Sequence, residues 1–272
     1  SLDLRPRSAH FAAKAKSVIL LFQNGGPSQM DLFDPKPELQ QRNGQVYAEK
    51  VEVLQPGNRN PLMASPFPVQ KHGECGMELS DRLPYLGSVA DEMCLIRSMY
   101  TDNNNHPQAL RSFLTGKIFP GRPTLGAWVS YALGTENQNL PAFVAMISRP
   151  SGPTNAQPLH ERMWGSGFLP SRYQGVRISS GKDPVLFLSN PPGITNDRRR
   201  AMLDDAAVLN RMKYADCQDP ETQARIDQYE MAFRMQAAVP ELADLSKESS
   251  HVFENYGPES KKPGTYAANC IL

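Results

Sequence analysis

Short continuous apolar runs, each followed by a polar loop, constrain the fold of this chain more than any other feature. The three clearest are SVILLFQ (17–23), CLIRSMY (94–100) and LPAFVAMI (140–147), and DPVLFLSN (183–190) is a fourth candidate for a short strand. Apolar runs of this length without polar alternation are typical of strands that are buried on both faces. The sequence therefore predicts a parallel sheet covered by helices.

Helical patterns fill the segments between and after these runs. Residues 80–93, 107–114 and 123–134 carry apolar side chains at helical spacing, and Gly134 is placed to end the third of these helices. Residues 196–256 are helical in pattern and highly charged. The order strand, helix, strand, helix, helix, strand predicts an α/β three-layer sandwich with a mainly parallel sheet.

Composition restricts the class of partner. Hydrophobic residues make up 40% of the 272 residues, charged residues 21%, and the net charge is +1, as in an ordinary globular protein. We therefore expect no nucleic-acid partner, and no apolar run approaches the roughly 20 residues of a membrane span. The four cysteines, Cys75, Cys94, Cys217 and Cys270, form no CxxC pair, which disfavours a zinc ribbon and predicts buried thiols or at most two disulfides.

The C-terminal residues predict that this sequence is a fragment. PGTYAANCIL (263–272) is typical of a helix start with Thr265 as its cap, and the pattern stops without an exit signal. We expect a longer protein that continues past Leu272. A domain cut at this point can be inert, or poorly soluble through an uncovered sheet edge.

The polar loop after the first apolar run is one candidate site. NGGPSQMDLFD (24–34) places Asn24 at the predicted strand end, and Gly25 and Gly26 allow a ligand to approach the backbone closely. Asp31 and Asp34 are carboxylates suited to a hard cation. The loop lacks the glycine spacing of phosphate-binding and dinucleotide-binding loops. A tight turn from strand to loop is the alternative explanation.

The polar loop after the second run, 101–106, is the other candidate site. Pro107 suits the first helical position, which makes His106 the predicted N-cap of the following helix. The N–H groups at a helix start attract anions. Asp102, Asn105 and His106 are candidate metal ligands, hydrogen-bond donors or nucleophile at that start. An ordinary polar turn followed by a helix cap is again the alternative.

Two cations and one further histidine complete the candidates. Arg111 lies about one turn into the helix and Lys117 follows it, so that either is a candidate to neutralise an oxyanion. His160 lies in the longest loop, 148–176, and long ordered loops often carry function. Because ligands bind beyond the carboxyl ends of parallel strands, we expect the 24–34 and 101–106 loops to converge on one site.

Several long motifs resemble those of domain-of-unknown-function family 1501. They are LLFQNGGPSQMDLFDPKPEL, SMYTDNNNHPQALRSFLTGK, GRPTLGAWVSYALGTENQNLPAFV, GSGFLPSRYQGV, DPVLFLSNPPG, YEMAFRMQ and PGTYAANC. The resemblance covers residues 16–272 and leaves residues 1–15 as an N-terminal extension. This family comprises exported sulfatase-like proteins placed in the alkaline phosphatase superfamily. The resemblance therefore implies a sulfatase-like α/β domain, C-terminally truncated here, and an exported, periplasmic or extracellular location.

The superfamily also implies a chemistry. Its members cleave sulfate or phosphate esters with divalent metals, using a carboxylate at the end of the first strand and a nucleophile at the start of the helix that leads to a Leu-Thr-Gly. The resemblance places Asn24 at the carboxylate position and His106 at the nucleophile position, ahead of 114–116 (LTG). Asp31 or Asp34 can replace the missing carboxylate. No C-x-P-x-R motif is present, which excludes formylglycine chemistry for this sequence.

What the resemblance implies is a metal-dependent hydrolase of sulfate or phosphate esters on small molecules or polysaccharides, with Zn, Ca or Mg as the metal. The implied metal ligands are Asn24, Asp31, Asp34, Asp102 and His106, the catalytic residues are His106, Arg111 and Lys117, and the substrate contacts are Gly25, Gly26, Asn105 and His160. His106 can serve as a ligand, a general acid or a nucleophile. The alternative is a non-catalytic glycan- or protein-binding member of the same fold, which the absence of Cys, Ser or Thr at the nucleophile position favours.

Overall fold

A computed structural model of the chain gives the positions of its helices and strands. It describes residues 4–24, 26–47, 61–103, 105–149, 163–180, 184–186 and 188–272. The chain divides into two units, residues 1–18 with 103–272 (unit 1) and residues 19–102 (unit 2). Asp102 and Asn103 lie on either side of this division, inside the polar loop at 101–106.

Short elements form unit 2, and most of the helical residues belong to unit 1. In unit 2 the elements are α1 (Gln29–Leu32), α2 (Pro37–Gln41), β1 (Val69–His72), β2 (Met77–Ser80) and α3 (Pro84–Gly87), followed by a 3-10 turn (Ala90–Glu92). In unit 1 they are α4 (His106–Thr115), α5 (Leu125–Leu133), β3 (Val144–Met146), β4 (Val176–Ile178), α6 (Asn196–Cys217), α7 (Pro220–Ala243), α8 (Ser250–Asn255) and α9 (Tyr266–Ile271). Short 3-10 turns at Ser171–Tyr173, Leu245–Lys247 and Pro258–Lys261 also belong to unit 1.

An antiparallel hairpin organises unit 2. Strands β1 and β2 pair from Val69 opposite Ser80 to His72 opposite Met77. The carboxylate of Asp91 accepts hydrogen bonds from the backbone N–H groups of Glu74 (2.9 Å) and Cys75 (2.8 Å) in the connecting turn. These bonds, that from Cys75 first, hold the pKa of the Asp91 carboxyl below its usual value. The hairpin turn is thereby fixed to the 3-10 turn that follows α3.

A parallel strand pair and the helix before it form one side of unit 1. Strands β3 and β4 pair in parallel, with Val144 opposite Val176 and Met146 opposite Ile178. Helix α5 packs closely against the residue before β3. A side chain in place of Gly126 would collide with the ring of Phe143. The predicted strand at 140–147 and the predicted helix at 123–134 are confirmed, and Gly134 follows the last helical residue as expected.

The two longest helices, α6 and α7, pack against each other. The Arg200 guanidinium donates to both carboxylate oxygens of Glu230, at 3.0 Å and 2.5 Å, and lies 4.9 Å from the centre of the Phe233 ring. The hydrogen bonds to Glu230, and then to Asp204, raise the pKa of Arg200 above its usual value. The predicted helical character of residues 196–256 is confirmed over most of its length.

A buried amide fixes α9 to the ends of the parallel strands. The side chain of Asn269 donates to the hydroxyl of Ser148 (3.1 Å) and accepts from the hydroxyl of Ser180 (3.0 Å). The Ser180 oxygen also accepts from the backbone N–H of Gly264 at 2.6 Å. The predicted helix start at Thr265 is confirmed, since its side chain accepts from the Ala268 N–H.

Three of the four predicted strands are absent from the described residues. Residues 17–23 and 94–100 form no strand, nor do the described residues of 183–190, and the two sheets found have two strands each. Val18 and Ile19 are 67% and 81% exposed. An apolar run becomes a strand only where another strand pairs with its backbone groups. The predicted strands were wrong at these places, and the three-layer sandwich stays a prediction.

Smaller corrections concern one helix and the cysteines. The predicted helix at 80–93 is broken into α3 and a 3-10 turn, and Pro84 begins the first of these pieces. All four cysteines are among the described residues and none forms a disulfide; Cys75, Cys94 and Cys217 are exposed rather than buried. No helix in the described ranges combines the length and hydropathy needed to cross a membrane.

The predicted N-terminal extension, residues 1–15, contacts unit 1 where it is described. The N–H of Thr135 donates to the Leu4 carbonyl (2.7 Å), and the N–H of Arg7 donates to the Leu133 carbonyl (2.9 Å). The Arg7 guanidinium lies 5.5 Å from the centre of the Tyr131 ring. The extension therefore packs on the C-terminal end of α5.

We predict that Asn269→Ala lowers the free energy of unfolding by about 1–3 kcal/mol, because it leaves the Ser148 and Ser180 hydroxyls without their buried partner. Asn269→Asp keeps an acceptor for Ser180 and loses the donor to Ser148. Urea denaturation followed by circular dichroism measures both. The matched control is Asn255→Ala on the exposed face of α8, for which we expect a change within about 0.5 kcal/mol. Equal effects of Asn269→Ala and Asn255→Ala would contradict this role.

Candidate functional site

The start of α4 lies one residue earlier than the sequence indicates. Asn105 is the N-cap, His106 is the first helical residue and Pro107 is the second, so the prediction of His106 as N-cap was wrong. The backbone N–H of Asn105 donates to the side-chain oxygen of Asn103 at 2.8 Å. Asn105 itself has an extended backbone (φ −82°, ψ 123°), as an N-cap residue does, and the helical conformation begins at His106.

The residues at the very start of α4 are exposed. Asn105, His106 and Pro107 are all exposed, and no side chain among the described residues caps the helix. The side-chain oxygen of Gln108 is buried and has no hydrogen-bond partner in the described part of the chain. Among the described residues, no side chain accepts from the first N–H groups of α4, which form the positive end of the helix dipole and suit an anion.

The C-terminal end of α4 is closed by the Leu-Thr-Gly segment. Gly116 adopts φ 76°, a left-handed conformation that glycine takes without strain, and its N–H donates to the Ser112 carbonyl at 2.8 Å. The hydroxyl of Thr115 lies 2.9 Å from the Arg111 carbonyl and 3.0 Å from the Lys117 carbonyl. The Leu-Thr-Gly motif thus has a structural role, because it ends the helix and turns the chain.

Arg111 and Lys117 lie towards this C-terminal end. The Arg111 guanidinium donates to the Ile118 carbonyl at 2.8 Å, beyond the end of the helix. Lys117 is exposed and stands two residues past the last helical residue. A ten-residue helix is about 15 Å long, so the end of α4 that precedes Lys117 lies about that far from His106. The oxyanion roles proposed for both residues stay predictions.

The 24–34 loop belongs to unit 2, and its acidic residues differ in their surroundings. Gly26 adopts φ 65°, and Asp31 lies in the first turn of α1. The Asp34 carboxylate is 2.6 Å from the Lys36 ammonium and 4.0 Å from the Arg97 guanidinium. The Asp34 carboxylate is therefore paired closely with Lys36 and more distantly with Arg97.

The implied metal ligands divide between the two units. Asn24, Asp31, Asp34 and Asp102 belong to unit 2, whereas His106 belongs to unit 1. Carboxylate, amide and imidazole groups suit a divalent cation in chemical type. Within the described ranges, however, no three His, Cys, Asp or Glu residues assemble into a group that can hold a metal. The metal site stays a prediction, and we derive no catalytic step through a metal. Gly25 and His160 lie outside the described residues.

The carboxyl ends of the parallel strands, where a ligand site is expected, are occupied by the chain itself. Ser148 and Ser180 stand two residues beyond the ends of β3 and β4, and both bind Asn269 of α9. The Arg149 N–H donates to the Gly264 carbonyl at 2.7 Å in the same region. At this strand pair the position that usually receives a ligand is filled by the loop 263–265 and α9.

The chain matches one protein family, described as "Protein of unknown function (DUF1501)", over residues 15–272. It belongs to the DUF1501 family. The match confirms the sequence resemblance to this family over nearly the whole of the present chain. No curated protein and no solved structure matches it significantly.

Sequence reasoning missed two polar contacts that fix a conspicuous motif of the DUF1501 protein. In GSGFLPSRYQGV, the Arg172 guanidinium pairs with the Asp227 carboxylate of α7 at 2.7 Å, and its side chain is only 6% exposed. The hydroxyl of Ser171 donates to the carboxylate of Glu221, also on α7. The sequence signal for a fixed loop was an arginine followed by an aromatic residue in a proline- and glycine-rich segment. The partners, about 50 residues away, could not be found from local pattern.

We predict that Arg111→Ala lowers the free energy of unfolding by about 0.5–1.5 kcal/mol, because it removes the bond to the Ile118 carbonyl that holds the chain after α4. Lys117→Ala removes the same charge from an exposed position close by. We expect it to change stability by less than about 0.5 kcal/mol. Guanidinium denaturation of the two variants makes the comparison. An unchanged midpoint for Arg111→Ala would show that this guanidinium has no structural task and is available for ligand binding.

Proposed function

We propose that this DUF1501 protein is an exported, metal-dependent hydrolase of sulfate or phosphate esters, including esters carried by polysaccharides. The observation that supports the proposal most is the exposed start of α4, where no described side chain caps the helix and a histidine is the first helical residue. The resemblance of its sequence to that of sulfatase-like proteins supplies the reaction class, the metal and the location. No catalytic step is assigned to the metal, because the described residues assemble no centre for it.

The start of α4 would bind the charged part of the ester. A sulfate or phosphate group carries negative charge on several oxygens, and the N–H groups of His106 and Gln108 are hydrogen-bond donors at the positive end of the helix. Pro107 has no N–H group of its own, and its fixed backbone angle suits the first turn. Donors already in place cost little reorganisation when negative charge grows during the reaction.

His106 would act on the leaving group of that ester. Its imidazole is exposed, and so it is accessible to a substrate held at the helix start. A protonated imidazole can give its proton to the departing alkoxide, and a neutral imidazole can take a proton from attacking water. Arg111 and Lys117 remain candidates for charge stabilisation, and Asn105 for contact with the substrate.

A non-catalytic glycan- or protein-binding role is the second candidate, and one observation favours it. Asp34, a proposed metal ligand, is engaged by Lys36 and Arg97 in unit 2. A carboxylate held by two cations is a weaker metal ligand, because a metal ion must displace them. The same anion-binding helix start could then recognise a sulfated glycan without cleaving it.

We predict that the protein hydrolyses 4-nitrophenyl sulfate or 4-nitrophenyl phosphate, and that His106→Ala lowers kcat on the order of 10²–10⁴-fold, the usual contribution of a general acid or base. The matched control is His251→Ala, which changes an exposed histidine on α8 and should leave kcat unchanged. Circular dichroism confirms that both variants fold. Turnover that survives His106→Ala would remove His106 from the mechanism. Binding of a sulfated glycan without any hydrolysis, weakened by His106→Ala, would favour the binding role.

A further inference from the structure

The solvent side of α6 carries a second face that is separate from its contact with α7. Leu203 and Ala207 are the buried residues of this helix. On the opposite side lies a line of six exposed residues, which we call the α6 stripe: Arg198, Met202, Asp205, Leu209, Met212 and Asp216. Helical geometry places this line about 140° around the axis from Leu203. The stripe therefore cannot share the α7 contact.

The spacing of the α6 stripe is that of a coiled-coil seam. Successive members are alternately four and three residues apart, which is the heptad pattern of positions that face a second helix. Met202, Leu209 and Met212 are 50%, 67% and 62% exposed, and Val208 beside them is 51% exposed. Several large apolar side chains along one face of a helix mark an interaction surface more often than an isolated one does.

We propose that the α6 stripe binds the α6 stripe of a second copy of this chain, with the two helices antiparallel about a two-fold axis. With that axis beside residue 207, Met202 of one copy faces Met212 of the other. In the same register, Arg198 faces Asp216 and Asp205 faces Leu209. Each contact occurs twice, as a two-fold interface requires.

The charges on the α6 stripe select this arrangement. Its single cation, Arg198, lies at the N-terminal end, and Asp216 lies at the C-terminal end. Antiparallel pairing brings these opposite charges together at both ends of the seam. Parallel pairing would place Arg198, Asp205 and Asp216 each opposite its own copy, and like charges in register oppose association. The two ends of the stripe are thus complementary to each other in the antiparallel orientation only.

The length of the α6 stripe sets the strength of the dimer. It spans about 28 Å of helix, which is less than the three to four heptads of a persistent coiled coil. We therefore expect a reversible dimer whose fraction rises with protein concentration. Because the end contacts are exposed ion pairs, added salt weakens association.

The test is sedimentation velocity of the 272-residue protein over a range of concentrations, with charge reversals at the ends of the stripe. Arg198→Asp alone and Asp216→Arg alone each place like charges at both ends and should weaken dimerisation about tenfold or more. Both changes suit the helix dipole, since they put a carboxylate in the first turn and a cation in the last, so the fold is retained. Arg211→Asp, off the stripe, is the matched control and should leave the dimer unchanged.

Two combinations make the result specific to the antiparallel register. The double variant Arg198→Asp/Asp216→Arg should restore dimerisation, because each end is again a pair of opposite charges. An equimolar mixture of the two single variants should form heterodimers. At one end the two substituted positions then face each other with opposite charges, and at the other end the unchanged Arg198 faces the unchanged Asp216. A monomer at every concentration, or a dimer that responds equally to Arg211→Asp and to the stripe variants, would overturn the proposal.

Discussion

The buried side chain of Asn269 is the contact on which the arrangement of unit 1 depends most. Through Ser148 and Ser180 it joins the ends of both parallel strands to α9, and through Ser180 it reaches Gly264. These groups lie up to 121 residues apart in sequence. A strand pair of three residues each has few ladder bonds of its own, so contacts at its ends decide whether it persists. The amide uses its oxygen and its nitrogen, and each has a partner.

The Asn269 contact also leaves the start of a helix, and not the strand ends, as the place where a ligand can bind. Ligands of parallel sheets usually bind beyond the carboxyl ends of the strands. Here those ends are filled by Asn269, Gly264 and their neighbours. The polar groups that remain accessible in unit 1 include the first turn of α4. An anion is the ligand that such a helix start favours, which connects the fold to the proposed esters.

The helices could be predicted from the sequence because their signals are local. The apolar spacing of α4 and α5, the glycine after each, and the Thr265 cap all act within a few residues. The N-cap of α4 was misplaced by one residue because Pro107 is the second helical residue and not the first, where proline is most common.

The strands could not be predicted in the same way, because a strand depends on a partner elsewhere in the chain. Residues 17–23 are apolar enough for a buried strand, yet none of them pairs with another strand among the described residues. Val176–Ile178, which carries a charge in its centre, forms a strand because Val144–Met146 lies beside it. The candidate ligands show the same limit. Their types could be predicted from sequence, but the engagement of Asp34 by Arg97 depends on chain segments 63 residues apart (97 minus 34).

The proposed function depends most directly on whether the protein holds a metal ion. Elemental mass spectrometry of protein purified without chelators measures this, alongside the His106→Ala variant. The proposal predicts about one or two divalent ions per chain, as such hydrolase sites use, and a lower content in the variant. Absence of bound metal in both proteins, after incubation with Zn²⁺, Ca²⁺ and Mg²⁺, would contradict a metal-dependent hydrolase and leave the start of α4 as an anion-binding site without catalysis.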